Sequence, residues 1–142
     1  MALLLEQLTR TSIGRFYKVY NRLGYGLLEG GYTGAIEIEL RKAGLHVDRE
    51  VPISVQYDGE VVGTYRIDLL VEKQLIIEVK TGPAILEVHE RQVRNYLKCS
   101  DLEVALLLLF GPAPKFRRFI HTNDRKHERM VPDSWPFPSS PC

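Results

Sequence analysis

The chain has 142 residues, 44% of them hydrophobic and 26% charged, with 19 Lys and Arg against 18 Asp and Glu. That is the length of one domain with a real core and an ordinary globular composition. A formal net charge of +1 excludes a global basic field for a polyanion but leaves room for a local patch, because distribution steers association.

The two cysteines, Cys99 and Cys142, have neither a CxxC partner nor metal-ligand spacing. A pair so sparse fits a reducing compartment and ordinary thiols. The apolar start, Met1-Ala-Leu-Leu-Leu5, meets Glu6 well short of a signal core. No stretch approaches the ~18 apolar residues of a membrane span. A soluble, cytoplasmic protein with no membrane partner is the expectation.

From Thr9 or Thr11 to Arg22, Ile13, Phe16, Tyr17 and Tyr20 recur at helical spacing behind a threonine placed to cap. Gly24 and Gly26 break that helix, and a second runs from about Leu28 to Ala43 with Gly44 beyond its end. Gly30, Gly31 and Gly34 weaken its first turns, since each costs about 1 kcal/mol against alanine. They imply either close approach of a backbone or ligand, or a frayed start.

Val47 to Tyr57 alternates, with Val47, Val51, Ile53, Val55 and Tyr57 on one face, as a half-buried strand does. Asp58-Gly59 is a hairpin turn, because both central positions of a type I′ turn need positive φ. The return strand covers about Val61 to Val71, Lys73-Gln74 turns again, and Leu75 to Lys80 completes a meander. A helix follows over Leu86–Lys98, then an aliphatic run, Glu103–Phe110, that reads as a strand buried on both faces. The intervening helix makes a right-handed βαβ crossover. Lys115–His121 reads as a basic edge strand. Six of the eight prolines lie from Pro112 onward, so the segment 123–142 is expected to be an irregular tail and residues 1–122 the domain.

The chemistry concentrates between Arg66 and Lys80. Asp68 sits in one aliphatic strand, Glu78 and Lys80 in the next, and the last two share a face. Ionisable groups in such strands are costly unless paired, hydrated or holding a metal. If the strands pair, Asp68 and Glu78 converge with oxygens able to share a hard divalent cation. A lysine beside them can position water and stabilise charge developing at phosphorus, which metal-assisted phosphodiester hydrolysis needs. Glu-x-Lys alone reads as a cross-strand salt bridge on a surface. Asp68 upstream and a helix bearing Gln92 and Tyr96 downstream make the combination specific.

With those residues in place, the chain resembles the PD-(D/E)xK nuclease superfamily. More narrowly, Gly26-Leu-Leu-Glu29-Gly-Gly-Tyr32 resembles the signature of the GxxExxY family. The similarity runs from about Leu8 to Gly111 and takes in Arg66-Ile-Asp68-Leu, Ile77-Glu-Val-Lys80 and Val88-His-Glu-Arg-Gln-Val-Arg-Asn-Tyr-Leu-Lys98. It implies an α/β fold with a restriction-endonuclease-like αβββαβ core, a mixed central sheet flanked by helices, and an extra N-terminal helix. It implies Asp68 and Glu78 as ligands for Mg²⁺ or Mn²⁺, with Glu29 near a second ion or its water, and Lys80 as the catalytic lysine. Gln92 and Tyr96 would orient the phosphate or support the lysine. His89 is either a site residue or a helix histidine at the sheet edge. The superfamily's proline is absent, Arg66-Ile67 standing before Asp68, and Leu109 replaces the family's frequent asparagine.

The implied activity is a metal-dependent nuclease acting on nucleic acid, DNA ahead of RNA. The alternative is a nuclease fold kept as a non-catalytic binding or homo-oligomeric assembly module. Arg91, Arg94 and Lys98 with Arg117 and Arg118 form either a phosphate-facing patch or solvated faces of a helix and an edge strand.

Overall fold

The most apolar stretches of the chain lie side by side at the middle of one sheet. The computed structural model describes residues 5–128. Its elements are α1 (Glu6–Leu23), α2 (Glu29–Lys42), β1 (Val47–Tyr57), β2 (Glu60–Val71), β3 (Leu75–Thr81), α3 (Glu87–Lys98), β4 (Val104–Phe110), β5 (Pro114–Ile120) and α4 (Asn123–Glu128). The strands form one sheet in the order β1-β2-β3-β4-β5. Every pairing is antiparallel except β3 with β4, which α3 connects. The fold is therefore α/β and restriction-endonuclease-like, with a mixed sheet flanked by helices.

α1 and α2 cover one face, burying Phe16, Ile36 and Leu40 against Val79, Leu106 and Leu108. α3 covers the other with Val93 and Leu97 against Ile76, Leu107 and Phe119. Central strands sandwiched this way are apolar on both sides, which is why β4 reads as continuous aliphatic sequence. Phe110 ties the first layer together. Tyr32 stacks on it at 3.9 Å between ring centroids, and Phe16 meets it edge-on at 5.0 Å. The Tyr20 hydroxyl donates to the adjacent Gly111 carbonyl at 2.6 Å.

The two helices of that layer are also joined by charge. Glu39 of α2 is buried and meets Lys18 at 3.1 Å, Arg15 at 3.3 Å and Arg22 at 4.0 Å, all on α1. The hydrogen bond from Lys18 holds its carboxyl below the ordinary range.

Several local expectations are corrected. α1 begins at Glu6, and Thr9 is buried within it rather than capping it. The second turn centres on Glu72-Lys73, both at positive φ, with the Gln74 N–H donating to Val71. β1 does not keep one face. Val47 packs under α1 and α2, whereas Val51 and Ile53 pack under α3. Glu50, at φ 52°, lies between them, and one left-handed residue breaks the strict alternation of a strand. Glycines 30, 31 and 34 would each carry a Cβ into open space, so among the described residues no backbone from another element approaches them.

Asn123 starts a short helix instead of an irregular tail. No proline intervenes before Pro132, and the Lys126 ammonium donates to the Ser100 and Leu102 carbonyls at 2.7 Å each. The rest of the proline-rich segment, 129–142, lies outside the described residues. Cys99 is disulfide-bonded, not a thiol. Spacing along a chain does not say which sulfurs meet in space.

Phe110→Ala should cost about 3–5 kcal/mol in urea unfolding, as for other buried aromatics. Glu39→Gln should be less stable than the parent at neutral pH. Because the folded carboxyl titrates below the ordinary 4.5, its contribution is present above that value and is lost as pH falls through the lowered one. The gap between the two proteins should therefore close in acid.

Candidate active site

The ladder between β2 and β3 consists of three pairs, Val71 with Leu75, Leu70 with Ile76 and Leu69 with Ile77. The next positions are Asp68 and Glu78, and there side chains take over from backbone. The Val79 N–H donates to Asp68 Oδ2 at 2.8 Å, and the Asp68 N–H donates to Glu78 Oε1 at 3.2 Å. The pairing of β1 with β2 skips the same place, passing from Arg49–Leu69 to Val51–Ile67. Ile67 faces α3 while Leu69 faces α1 and α2, so β2 switches faces around Asp68. The two carboxylates meet where two adjoining ladders are interrupted.

Glu78 is 3% exposed, and its remaining partners lie on the α3 side of the sheet. Lys80 Nζ stands 3.4 Å from Glu78 Oε2, and the Tyr96 hydroxyl is 3.3 Å from the same oxygen and 3.2 Å from the Arg66 carbonyl. Burial first, then the Asp68 charge, pushes the Glu78 carboxyl up to about 7. Burial likewise raises Asp68, against the Val79 hydrogen bond and Lys80. Burial and the two carboxylates push the Tyr96 phenol well above its usual range, so it acts as a neutral donor. Gln92, one turn before Tyr96, reaches that hydroxyl with its amide.

Glu29 opens α2, and its charge bears on both Asp68 and His89. Local sequence positions it. Gly26 takes φ 113°, a region other residues rarely enter, and the Tyr32 hydroxyl donates to the Gly24 carbonyl at 2.6 Å while accepting from the Leu27 N–H at 3.1 Å. Glycine, glutamate and tyrosine at this spacing are thus a turn, the acid it presents, and the latch that holds the turn. His89 lies within the fields of Lys80 and Glu29. Its Nδ1 accepts the Leu86 N–H at 3.2 Å, and burial lowers its pKa so that the ring is neutral at neutral pH.

The structure thus gathers Asp68, Glu78, Lys80 and Tyr96 in direct contact, with Gln92, Glu29 and His89 around them. Sequence reasoning missed Arg49, whose charge reaches Asp68 from β1; only the register opposite Leu69 reveals it. It also missed Gly111. A Cβ there would collide with the Gly82 carbonyl, so this glycine lets the loop after Lys80 close down.

Among the described residues, no three or more His, Cys, Asp or Glu side chains are grouped to cage an ion. Two facing carboxylates nevertheless suit Mg²⁺, which takes one or two carboxylates and keeps waters and substrate phosphates for the rest. The Asp68 charge raises the proton affinity of Glu78 and the Glu29 charge that of Asp68, and a hard cation would relieve that repulsion. The donor set fits a divalent metal.

An interrupted mixed sheet with paired carboxylates and a lysine on its central strands defines a restriction-endonuclease-like protein. The chain belongs to the PD-(D/E)XK nuclease superfamily, whose family model matches residues 6–119. A solved protein, titled "Crystal structure of SSO0001", is similar over 87% of this chain and 65% of its own, with a TM-score of 0.52 and 20% identity. The likeness is one of fold, and the chain spans less than two thirds of that protein's length. No curated protein matches the chain.

In EDTA, Glu78→Gln should gain stability over the parent as pH rises. The folded carboxyl releases its proton at about 7 and the unfolded one near 4.5, so between those values the folded parent holds the extra proton and loses stability with rising pH. Thermal unfolding across that range checks this; a difference that does not move in the variant's favour as pH rises contradicts it.

Proposed function

We propose that this chain is a divalent-metal-dependent nuclease that hydrolyses phosphodiester bonds, in DNA ahead of RNA. The observation that carries the reading is the meeting of Asp68 and Glu78 at the end of the β2–β3 ladder with Lys80 on Glu78. Asp68 and Glu78 would hold Mg²⁺ or Mn²⁺, with Glu29 reaching a second ion or its water. When bound, the ion supplies Lewis acidity toward the phosphate and a more acidic water.

The remaining work falls to the chain itself. Lys80, 16% exposed in its side chain, turns an ammonium toward the phosphate, where it orients the attacking water and stabilises charge developing on phosphoryl oxygen. Glu78 holds that ammonium in place. Tyr96, fixed as a donor, supports the Glu78 carboxylate, and Gln92 beside it orients the phosphate. The aliphatic strands and α3 close the floor of the site and exclude bulk water from behind the carboxylates.

The Gly26, Glu29 and Tyr32 spacing, with its turn, acid and latch, supports membership of the GxxExxY family. The domain proposed over residues 1–122 is extended by α4, which Lys126 fastens to the loop after α3. No described helix is long and apolar enough to cross a membrane. A cytoplasmic location belongs to the same proposal and rests on the nucleic-acid reading, since the Cys99 disulfide removes the thiol argument. One observation favours assembly into homo-oligomers. Leu27 and Leu28 before α2, and Leu86 and Val88 at the start of α3, are 46% to 87% exposed on the two helix starts nearest the site.

The parent should cleave DNA with Mg²⁺ or Mn²⁺, and Asp68→Ala and Lys80→Ala should each reduce the rate by about 10²-fold or more. Activity that survives both substitutions would sink the proposal. Nucleic-acid binding by a monodisperse oligomer without cleavage, and without metal uptake in calorimetry, would favour the assembly module instead.

A further inference from the structure

α3 has two working faces. His89, Gln92 and Tyr96 point toward the carboxylates, while Arg91, Arg94 and Lys98, three and four residues apart, form a stripe on another side. That stripe lines a groove of about 430 Å³ between α3, β5 and α4, which Arg118 and Arg125 complete. Among the described residues, five cations therefore line one groove and no carboxylate does. In a chain with 19 basic and 18 acidic residues, that is a strong local segregation.

The groove is built rather than incidental. The Arg94 guanidinium lies over the Phe119 ring, 5.1 Å from its centroid, which restrains its planar fork. Lys126 pins α4 through two carbonyls and the Asn123 side chain, and thereby places Arg125. Arg117 lies outside the lining and is held by Glu90 at 2.8 Å. Arg91 is paired with Glu87 at 3.1 Å, but both side chains are exposed and such a surface pair yields readily to a phosphate. Residues 91 to 98 span about 10 Å of helix, the length over which one nucleic-acid strand presents about three phosphates. A lone phosphate would leave most of that row unused.

We propose that this groove grips the sugar–phosphate backbone of a nucleic-acid strand outside the catalytic centre. It rests on the nuclease reading for the class of ligand. Phosphate contacts of this kind supply affinity and register without reading sequence. The helix that presents Gln92 to the reacting phosphate would then also hold a second stretch of backbone.

Binding is measured by fluorescence anisotropy in EDTA, so that no cleavage intervenes, with a labelled single strand and the corresponding duplex between about 50 and 200 mM salt. The double variant Arg91→Glu/Lys98→Glu should bind roughly tenfold or more weakly than the parent, with a shallower dependence on salt. Lys42→Glu/Lys73→Glu changes net charge equally away from the groove and should bind nearly as the parent does. Arg94→Gln gives a third reading at the stacked position, and thermal unfolding confirms that each variant is folded. Equal loss in the control pair, undiminished binding by the groove variants, or no binding by the parent would overturn the inference. So would displacement of neither oligonucleotide by a groove-bound inorganic phosphate, which would mark a small-anion site. Failure of the groove variants to differ leaves the nuclease reading standing. Groove-dependent binding without metal-dependent cleavage overturns that reading alone.

Discussion

Everything distinctive in this protein depends on where β2 stops pairing with β3. A continued antiparallel ladder would satisfy the Asp68 and Val79 N–H groups with carbonyls and leave two carboxylates with no role in the sheet. Here the backbone parts after Leu69–Ile77, and each carboxylate accepts an N–H from the opposite strand. Buried backbone donors must find acceptors. Asp68 and Glu78 are therefore both structural partners of the interrupted sheet and the acids of the candidate site. One arrangement serves both ends, and it fixes the carboxylates more firmly than a surface loop would.

The cost of that arrangement shows in the proton affinities. Burial raises both acids, the Asp68 charge raises Glu78 further, and the Glu29 charge raises Asp68. Lys80 and Tyr96 offset part of this without removing it, one by charge and the other by a hydrogen bond. Two negative groups held together in a poorly hydrated place are destabilising in a structural sheet and useful in a site that receives a cation. The left-handed Glu50 beside them tells the same story in the backbone. Non-glycine residues persist there only where surrounding structure enforces it, and the enforcing feature is the face switch that frees Asp68 from the ladder.

The aromatic layer under α1 and α2 supports this from behind. Phe110 receives Tyr32 face-on and Phe16 edge-on. Tyr32 also secures the turn that delivers Glu29. The acid on the second helix is thus referenced to the central strands through one stacked pair. α3 closes the opposite face, and its buried stripe, its site stripe and its basic stripe are sorted by helical period alone.

Much of this was legible in the chain. Strand and helix identities follow from hydrophobic period, and the β4 run announces burial on both faces because parallel central strands have no solvent side. The spacing of Gly26, Glu29 and Tyr32 and of Asp68, Glu78 and Lys80 marks the chemistry, since alternation puts Glu78 and Lys80 on one face whatever the fold. Other features needed the tertiary structure. Alternation predicts Val47 and Val51 on one face, but a single backbone torsion at Glu50 reverses it. The Arg49 field at Asp68 and the gathering of Arg118 and Arg125 with α3 join residues distant in sequence. Local sequence determined which groups could do chemistry and which faces they shared. Where two ladders would break, and so which groups would meet, was decided by long-range packing that no local pattern encodes.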